Sequence, residues 1–521
     1  MGSNSGKLSG NKTGNQAGRH AADPRVLICR IVKAVLEDGA FSHEEIGSVL
    51  KQYPDMDPRN RGMIEYCSRA VLEHLYRIDA YLDLCSSKPV SKLKPWIRTI
   101  LRVSMAQLLY MDRIPARAVL NEAGKLTGQF GLSGLRGYVN GVLRGFLRLQ
   151  DQNSQRDDPE SKAMQVFAKK FPGQEDPVCR LSYRYSMPGW ILKRYLEDFG
   201  PEKTEGILEA YHKPVKTTCA RNKAAVSLEE LKAALEKENV RTEPLPYGLD
   251  GVCLTETADL TALKAFQEGA FFIQDVSSMI QGLVVNGGLG PQASRNGVIV
   301  QTDSNGTIAQ AESNGTIAQA DPDQVLILDV CGAPGGKSFR AASDMLERGL
   351  RGHVICRDLR QEKADRILEN VRRLKLDSVQ VQVWDALKED PALKGMADLV
   401  IADLPCSGLG IIGRKPEIRY RVSEDDTREL AALQRQILKV CAAYVKPGGR
   451  LVYSTCTLSR EEDEDNYRYL TEELPFAPES LDPYLPEELR SDETAKGRLK
   501  LIPGIHECDG FFVSSAIRRK E

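Results

Sequence analysis

From residue 325 onward, short apolar segments alternate with helical ones. Val325–Leu328, Val354–Asp358, Val379–Val383, Leu399–Ala402 and Arg450–Ser454 each have the length of a strand, and most are separated by helix-length stretches. Such alternation predicts a parallel, doubly wound sheet with helices on its faces. Open α/β sheets bind ligands at the carboxyl ends of their strands. The residues just beyond each segment are therefore the first place to look for chemistry.

Beyond Asp329 comes Cys331-Gly332-Ala333-Pro334-Gly335-Gly336-Lys337-Ser338, followed by a helical pattern. Glycines in a tight strand-to-helix turn let a ligand touch the backbone, and the helix start offers free N–H groups to an anion. The loop is not a phosphate-binding G-x-x-x-x-G-K-[ST] motif, because position 331 is Cys where that spacing needs Gly. Read alone, it is an ordinary structural turn. Asp358 closes the next segment, about 20 residues on, where a carboxylate accepts both hydroxyls of a ribose. Asp385 follows the third segment and could face an adenine amino group, and Asp403 follows the fourth. A lone aspartate is more often a helix cap, but three at successive strand ends form a pattern.

Two cysteines also lie at strand ends, in Asp403-Leu404-Pro405-Cys406-Ser407-Gly408 and in Thr455-Cys456-Thr457. A thiolate beside a cofactor crevice has a specific use. C5 of cytosine is too weak a nucleophile to take a methyl group from a sulfonium. Addition of a thiolate to C6 makes C5 enamine-like; a base then removes the C5 proton and elimination frees the enzyme. The thiolate needs a nearby cation or helix terminus to lower its pKa. A carboxylate at the N3 edge, here Asp403, would hydrogen-bond or protonate the ring as charge builds. Taken bare, a cysteine after proline is commonly buried packing, and spacing cannot say which thiol attacks.

The chain's 521 residues suggest three or four domains at roughly 150 residues each. With 41% apolar and 27% charged residues it is an ordinary soluble composition, and no apolar run approaches the ~20 residues of a membrane span. Met1 to Ala22 is Gly/Ser/Asn-rich without an apolar core, so 1–23 is expected to be a disordered tail and no signal peptide. Twelve cysteines without a C-x-x-C pair, and six scattered histidines, indicate reduced thiols in a cytoplasmic protein without a metal site.

Residues 24–150 read as wholly helical. Val26-Leu27, Ile31-Val32 and Val35-Leu36 share one helical stripe, Ile97, Ile100, Leu101, Met105 and Leu108 another, and a further helix starts near Tyr138. The whole chain has a net charge of −1, yet residues 24–150 hold 19 Lys/Arg against 12 Asp/Glu. Arg98, Arg102, Arg113, Arg117, Arg136, Arg144 and Arg148 cluster in the second half. This is either a solvated helical face or a surface for phosphates. Residues 151–160 read as a linker, and the stretch to 269 as a small α+β module. Within 270–521, Asp303–Ala311 and Glu312–Ala320 form a nine-residue near-repeat in an expected flexible insert at about 292–323. Glu461–Glu493 carries 13 acidic and 2 basic residues and is expected to be a solvated face turned away from nucleic acid.

Asp329–Ser338, Asp403–Gly408, Ser454-Thr455-Cys456-Thr457 with Glu461-Glu462, Gly413–Tyr420, and Asp509-Gly510-Phe511-Phe512 together resemble the Sun-type RNA cytosine-C5 methyltransferases. The likeness is strongest to bacterial enzymes of 16S ribosomal RNA that carry a NusB-like domain, which Asn121-Glu122-Ala123 and Tyr138–Arg144 resemble. The resemblance covers nearly the whole chain except the tail and the insert. It implies a NusB-like all-α domain, a small α+β RNA-binding module and a Rossmann-like class I methyltransferase domain. It implies methyl transfer from S-adenosyl-L-methionine to C5 of cytosine 967 of 16S rRNA. Cys456 would be the nucleophile, Cys406 would assist proton removal and product release, and Asp403 would contact N3. Cofactor contacts carry over onto Cys331, Gly332, Ala333, Pro334, Gly335, Gly336, Lys337, Asp358, Asp385 and Asp403. The expected partner is free or early-assembly small-subunit RNA, bound by a monomer. Leu404 and Asp463 depart from the family pattern without touching a proposed catalytic position. Two other readings stay open: the same chemistry on transfer RNA, and an inactive scaffold serving as an RNA-binding assembly or antitermination factor.

Overall fold

Aspartate followed by proline starts three helices of the N-terminal part: Asp23, Asp57 and Asp158 each cap the helix whose first residue is the next proline. The computed structural model describes residues 23–151, 158–170, 176–255, 260–289 and 324–520. The expected tail before Asp23 and the repeat insert lie outside the described residues. The chain divides into two compact units, 1–173 and 174–521.

The first unit is all helix among its described residues: α1 Pro24–Glu37, α2 Ser42–Gln52, α3 Pro58–Glu73, α4 Leu75–Cys85, α5 Pro95–Tyr110, α6 Ala116–Gln129, α7 Arg136–Asp151 and α8 Pro159–Ala168. Helix α5 is central. It packs on α1, α3, α4 and α6 and buries Ile97, Ile100, Leu101, Val103 and Met105. Its apolar stripe is thus core. Two of its arginines are structural as well. Arg102 is buried and forms a bidentate pair with Asp79 (2.8 and 2.7 Å), and Arg98 pairs with Glu37. A buried guanidinium needs such a partner, so these two leave the phosphate-binding set expected from sequence.

The second unit opens with α9 Asp176–Tyr185 and α10 Gly189–Ala210, which bends at Gly200-Pro201. A four-stranded antiparallel sheet follows: β1 Thr217–Arg221, α11 Leu228–Lys237, β2 Arg241–Pro244, β3 Gly251–Thr255, α12 Lys264–Gln267 and β4 Phe271–Ile273, in the order β2-β3-β1-β4. Phe271–Ile273 therefore completes the small sheet.

The large sheet is built from α13 Val276–Gly287, β5 Val325–Asp329, α14 Gly336–Glu347, β6 Gly352–Asp358, α15 Gln361–Leu374, β7 Val379–Val383, β8 Ala397–Asp403, α16 Ile418–Arg421, α17 Glu424–Tyr444, β9 Val445–Thr455, α18 Glu464–Glu472, β10 Phe476–Pro478, α19 Asp492–Ala495, β11 Arg498–Leu501 and β12 Phe511–Arg518. The order is β10-β12-β9-β8-β5-β6-β7, with β11 on β12. Strands β9, β8, β5, β6 and β7 run parallel, as the alternation predicts. The sheet as a whole is mixed, because β12 inserts antiparallel to β9 and carries β10 and β11. One face packs on α13, α14 and α15, the other on α17 and α18. The carboxyl ends of β5, β8 and β9 are adjacent, so the glycine turn, Asp403 and Cys456 meet at one edge.

Candidate active site

The turn between β5 and α14 is shaped by what a side chain would strike. Gly335 has φ +107°, and a Cβ there would fall 2.1 Å from the Phe339 ring. A Cβ on Gly332 would fall 2.3 Å from Cys356 Sγ. Glycine is needed at both positions. Helix α14 begins at Gly336 with no side-chain cap, so its first N–H groups are left for a ligand. Gln274 Nε2 donates to the Gly336 carbonyl (3.2 Å) and ties the turn to the small sheet. Behind the turn, fully buried Asp329 accepts from Ser338 Oγ (2.7 Å). Burial pushes its carboxyl up to about 7, against the pull of Ser338 and Lys337.

Lys337 points back to the end of β8, where its Nζ lies 2.6 Å from Asp403 Oδ2. Burial works against the ammonium, but the Asp403 carboxylate outweighs it, helped by Asp329 and Cys456, and the Lys337 pKa rises. Asp403 Oδ1 accepts from Ser454 Oγ (2.7 Å), which in turn accepts from Gln281 Nε2 (2.9 Å). The carboxylate is thus fixed from both sides.

The two cysteines meet. Cys406 Sγ and Cys456 Sγ are 3.2 Å apart, both partly accessible. The hydrogen bond to Cys456 raises the Cys406 pKa well above that of a free thiol, with burial and the Cys456, Glu462 and Asp403 charges adding to it. Either sulfur can donate in this contact. The Cys456 carbonyl accepts from Gly410 N (3.1 Å), and Gly410 O accepts from Gly510 N (2.9 Å). That contact allows no side chain, since a Cβ on Gly410 would sit 2.1 Å from Gly510 O. Arg414 bridges Asp509 and Asp275, joining the Gly413–Tyr420 and Asp509–Phe512 motifs to the start of α13.

The acidic stretch is where the expectation fails. Glu462 and Asp463 are fully buried. Glu462 accepts from Ser407 N (2.9 Å), Ser407 Oγ (2.5 Å) and Gln434 Nε2 (3.0 Å), and Gln434 also donates to Pro405 O (2.8 Å). This carboxylate therefore clamps the Cys406 loop to the segment that follows Cys456. Asp463 accepts from Thr455 Oγ1 (2.6 Å) and pairs with Lys500 (3.0 Å). The remainder of 461–493 includes exposed acids, so the charge balance describes the segment but not these two members.

Asp358 is buried at the end of β6, 3.5 Å from Lys363 Nζ. Asp385 lies two residues beyond the end of β7. Its carboxylate caps its own turn by accepting from Leu387 N (3.0 Å) and remains about one-third exposed. The structure thus brings Cys331–Lys337, Asp403, Cys406 and Cys456 to one edge, with Asp358 at the neighbouring strand end and Asp385 at the rim.

Family models match in chain order. The NusB family matches residues 22–148, an RsmF/B-like ferredoxin-like domain 187–261, and the 16S rRNA methyltransferase RsmB/F family 316–517. The probable ribosomal RNA small subunit methyltransferase B of Bacillus subtilis is 32% identical over 487 residues, covering 93% of this chain and 96% of its own length. This chain belongs to the RsmB/F methyltransferase family. The ribosomal RNA small subunit methyltransferase B of Vibrio cholerae is 29% identical, with 87% and 89% of the two chains covered. The crystal structure of PH0851 shares the fold, with a TM-score of 0.72 at 21% identity over 96% of this chain and 100% of that one. The architecture is accordingly a NusB-type helical domain, a ferredoxin-like domain and a methyltransferase domain. The family's cofactor is S-adenosyl-L-methionine. The residues here fit it: an uncapped helix start and Lys337 suit a carboxylate, and buried Asp358 suits a diol.

Among the described residues, no helix is long and apolar enough to cross a membrane.

Proposed function

We propose that this protein methylates C5 of a cytosine in small-subunit ribosomal RNA, cytosine 967 by the family resemblance, through a covalent bond between Cys456 and C6 of the base. The observation that carries this reading is the 3.2 Å approach of two sulfurs beside the Asp403–Lys337 pair. The names of the relatives support the RNA class. The helical domain (24–150) and the middle module (151–269) would hold RNA, and residues 270–521 would do the chemistry. The protein would work in the cytoplasm, as a monomer and without a metal.

When bound on Cys331–Lys337, Asp358, Asp385 and Asp403, S-adenosyl-L-methionine supplies an electrophilic methyl group. The chain's own residues do the rest. The target base is unstacked and presented to the thiols. Cys456 sulfur, as thiolate, bonds to C6; N3 takes a proton from solvent as negative charge reaches it, Asp403 accepts from that N3–H, and the ring's electron pair becomes available at C5. Lys337 keeps a positive charge beside Asp403 and Cys456 throughout. Cys406 gives its proton to solvent, and its thiolate takes the proton from methylated C5. The C5–H electron pair restores the C5–C6 double bond, and the C6–S bond breaks with its pair returning to Cys456.

The test is transfer of labelled methyl from S-adenosyl-L-methionine to unmodified 16S rRNA, with nucleoside analysis. Label in 5-methylcytidine at a single position is expected. Label on transfer RNA alone would move the substrate, and cofactor binding without transfer to any RNA would favour the inactive scaffold.

A further inference from the structure

Residues 113–150 contain six basic side chains (Arg113, Arg117, Lys125, Arg136, Arg144, Arg148) and a single acid, Glu122. The structure sorts them. Lys125 pairs with Glu122, and all five arginines are exposed. No acidic residue within 113–150 is left to answer these five. This distinguishes them from Arg98 and Arg102, whose charges are answered by Glu37 and Asp79.

Their arrangement follows from helix geometry. On α7, Arg136, Asn140, Arg144 and Arg148 recur every four residues and share one face. At 1.5 Å per residue, Arg144 and Arg148 are about 6 Å apart along the axis, and Arg136 and Arg144 about 12 Å. Gly137 and Gly141 lie beside this row, and a Cβ at either would meet nothing within 4 Å. The helix backbone is therefore open to close approach. Gly124 of α6 provides the space across which the Arg136 side chain lies, since a Cβ there would fall 2.9 Å from Arg136 Nε. Arg113 and Arg117 lie at the start of α6, whose other end carries Gly128, also open.

We propose that this α6–α7 face of the first unit is a docking surface for the phosphate backbone of the RNA substrate, with Arg136, Arg144 and Arg148 spanning successive phosphates of one strand and Gly137 and Gly141 admitting the sugar-phosphate chain against the helix. The inference rests on the RNA reading above and extends it to a named surface. Charge complementarity selects the occupant: Arg136, Arg144 and Arg148 form a row of exposed guanidinium groups with no ion-pair partner among the described residues, which suits a polyanion, and backbone contacts position RNA without reading its sequence.

The test uses the full chain and an in vitro transcribed, unmodified 16S rRNA fragment, with affinity measured across a salt series. Arg144→Gln/Arg148→Gln is expected to flatten the slope of log K against log salt by roughly 0.7–0.9 for each phosphate no longer neutralised. It should raise KM for the fragment while leaving kcat and affinity for S-adenosyl-L-methionine unchanged. Gly141→Leu, which leaves the charge alone and favours helix, is expected to weaken RNA binding without changing that slope. Arg144→Lys/Arg148→Lys, which keeps both charges, should keep the wild-type slope. Wild-type protein that neither binds nor methylates the fragment would refute the RNA reading itself. Wild-type protein that does both, with variants of unchanged affinity and slope, would overturn the docking surface alone and leave this face to an acidic protein.

Discussion

Glu462→Ala removes a carboxylate that receives three hydrogen bonds in a fully buried place. Ser407 Oγ keeps Thr457 Oγ1 as a neighbour (2.7 Å) and Gln434 keeps Pro405 O, but the Ser407 amide loses its acceptor. Hydrogen bonds to a charged group contribute about 1.5–3 kcal/mol each, and a buried orphan donor costs about 1–3 kcal/mol. Against this, burial raises the Glu462 pKa, so deleting the group also relieves a desolvation penalty. The balance is a loss of roughly 2–5 kcal/mol. For a unit spanning 174–521, that lowers Tm by roughly 3–7 °C. Activity should fall further than stability, because the released amide adjoins Cys406, and a shift of about 1 Å in a catalytic group can lower rate about 100-fold. The assay is methyl transfer at a temperature where circular dichroism shows the variant folded, beside a thermal melt. Glu462→Gln, which keeps one acceptor, should recover part of both losses. A Glu462→Ala protein with wild-type Tm and kcat would refute the clamp.

Asp329 gives a pH prediction. Its folded pKa of about 7 lies above the ordinary 3.8, so the stability linked to its protonation is complete below about pH 4 and lost as pH rises through about 7. The shift corresponds to at most about 4 kcal/mol, and Asp329→Asn should flatten the stability curve across that window in urea unfolding at a series of pH values; an unchanged slope would count against it. Gly335→Ala forces a left-handed backbone, at about 1–2 kcal/mol, onto a position where the Phe339 ring blocks Cβ. Calorimetry should show S-adenosyl-L-methionine binding weakened together with a lower Tm. Asp403→Asn removes the anion that holds Lys337 charged and the N3 contact, so kcat should fall roughly 100-fold or more with little change in KM for RNA.

Much of the site could be read from local signals. Val325–Leu328 and Val354–Cys356 are apolar over short runs because both faces of a central parallel sheet are covered, while edge strand Val379–Val383 alternates Val with Gln, and these patterns place Asp329, Asp358 and Cys331–Lys337 at strand ends. Strand β12 was less visible. Its pairing with β9 is antiparallel and spans 57 residues or more of sequence, and Phe511-Phe512 stood out only as a terminal motif. The acidic stretch misled because a charge balance averages over a segment, whereas Glu462 and Asp463 are each claimed by a tertiary partner, Ser407 and Lys500 respectively. Arg102 escaped for the same reason, its partner Asp79 lying on another helix. Asp385 sits where the strand rule puts a ligand contact, yet its carboxylate is already engaged by its own turn.

A covalent intermediate can be seen on a denaturing gel. If Cys456 forms the bond to C6 and Cys406 is needed to clear it, Cys406→Ala incubated with unmodified 16S rRNA fragment and S-adenosyl-L-methionine should accumulate a denaturant-stable protein–RNA band. Cys456→Ala, and the double variant, should give none. A band that survives in Cys456→Ala would contradict the assignment of the nucleophile. Wild-type methylation rates in both single variants would contradict thiol catalysis altogether.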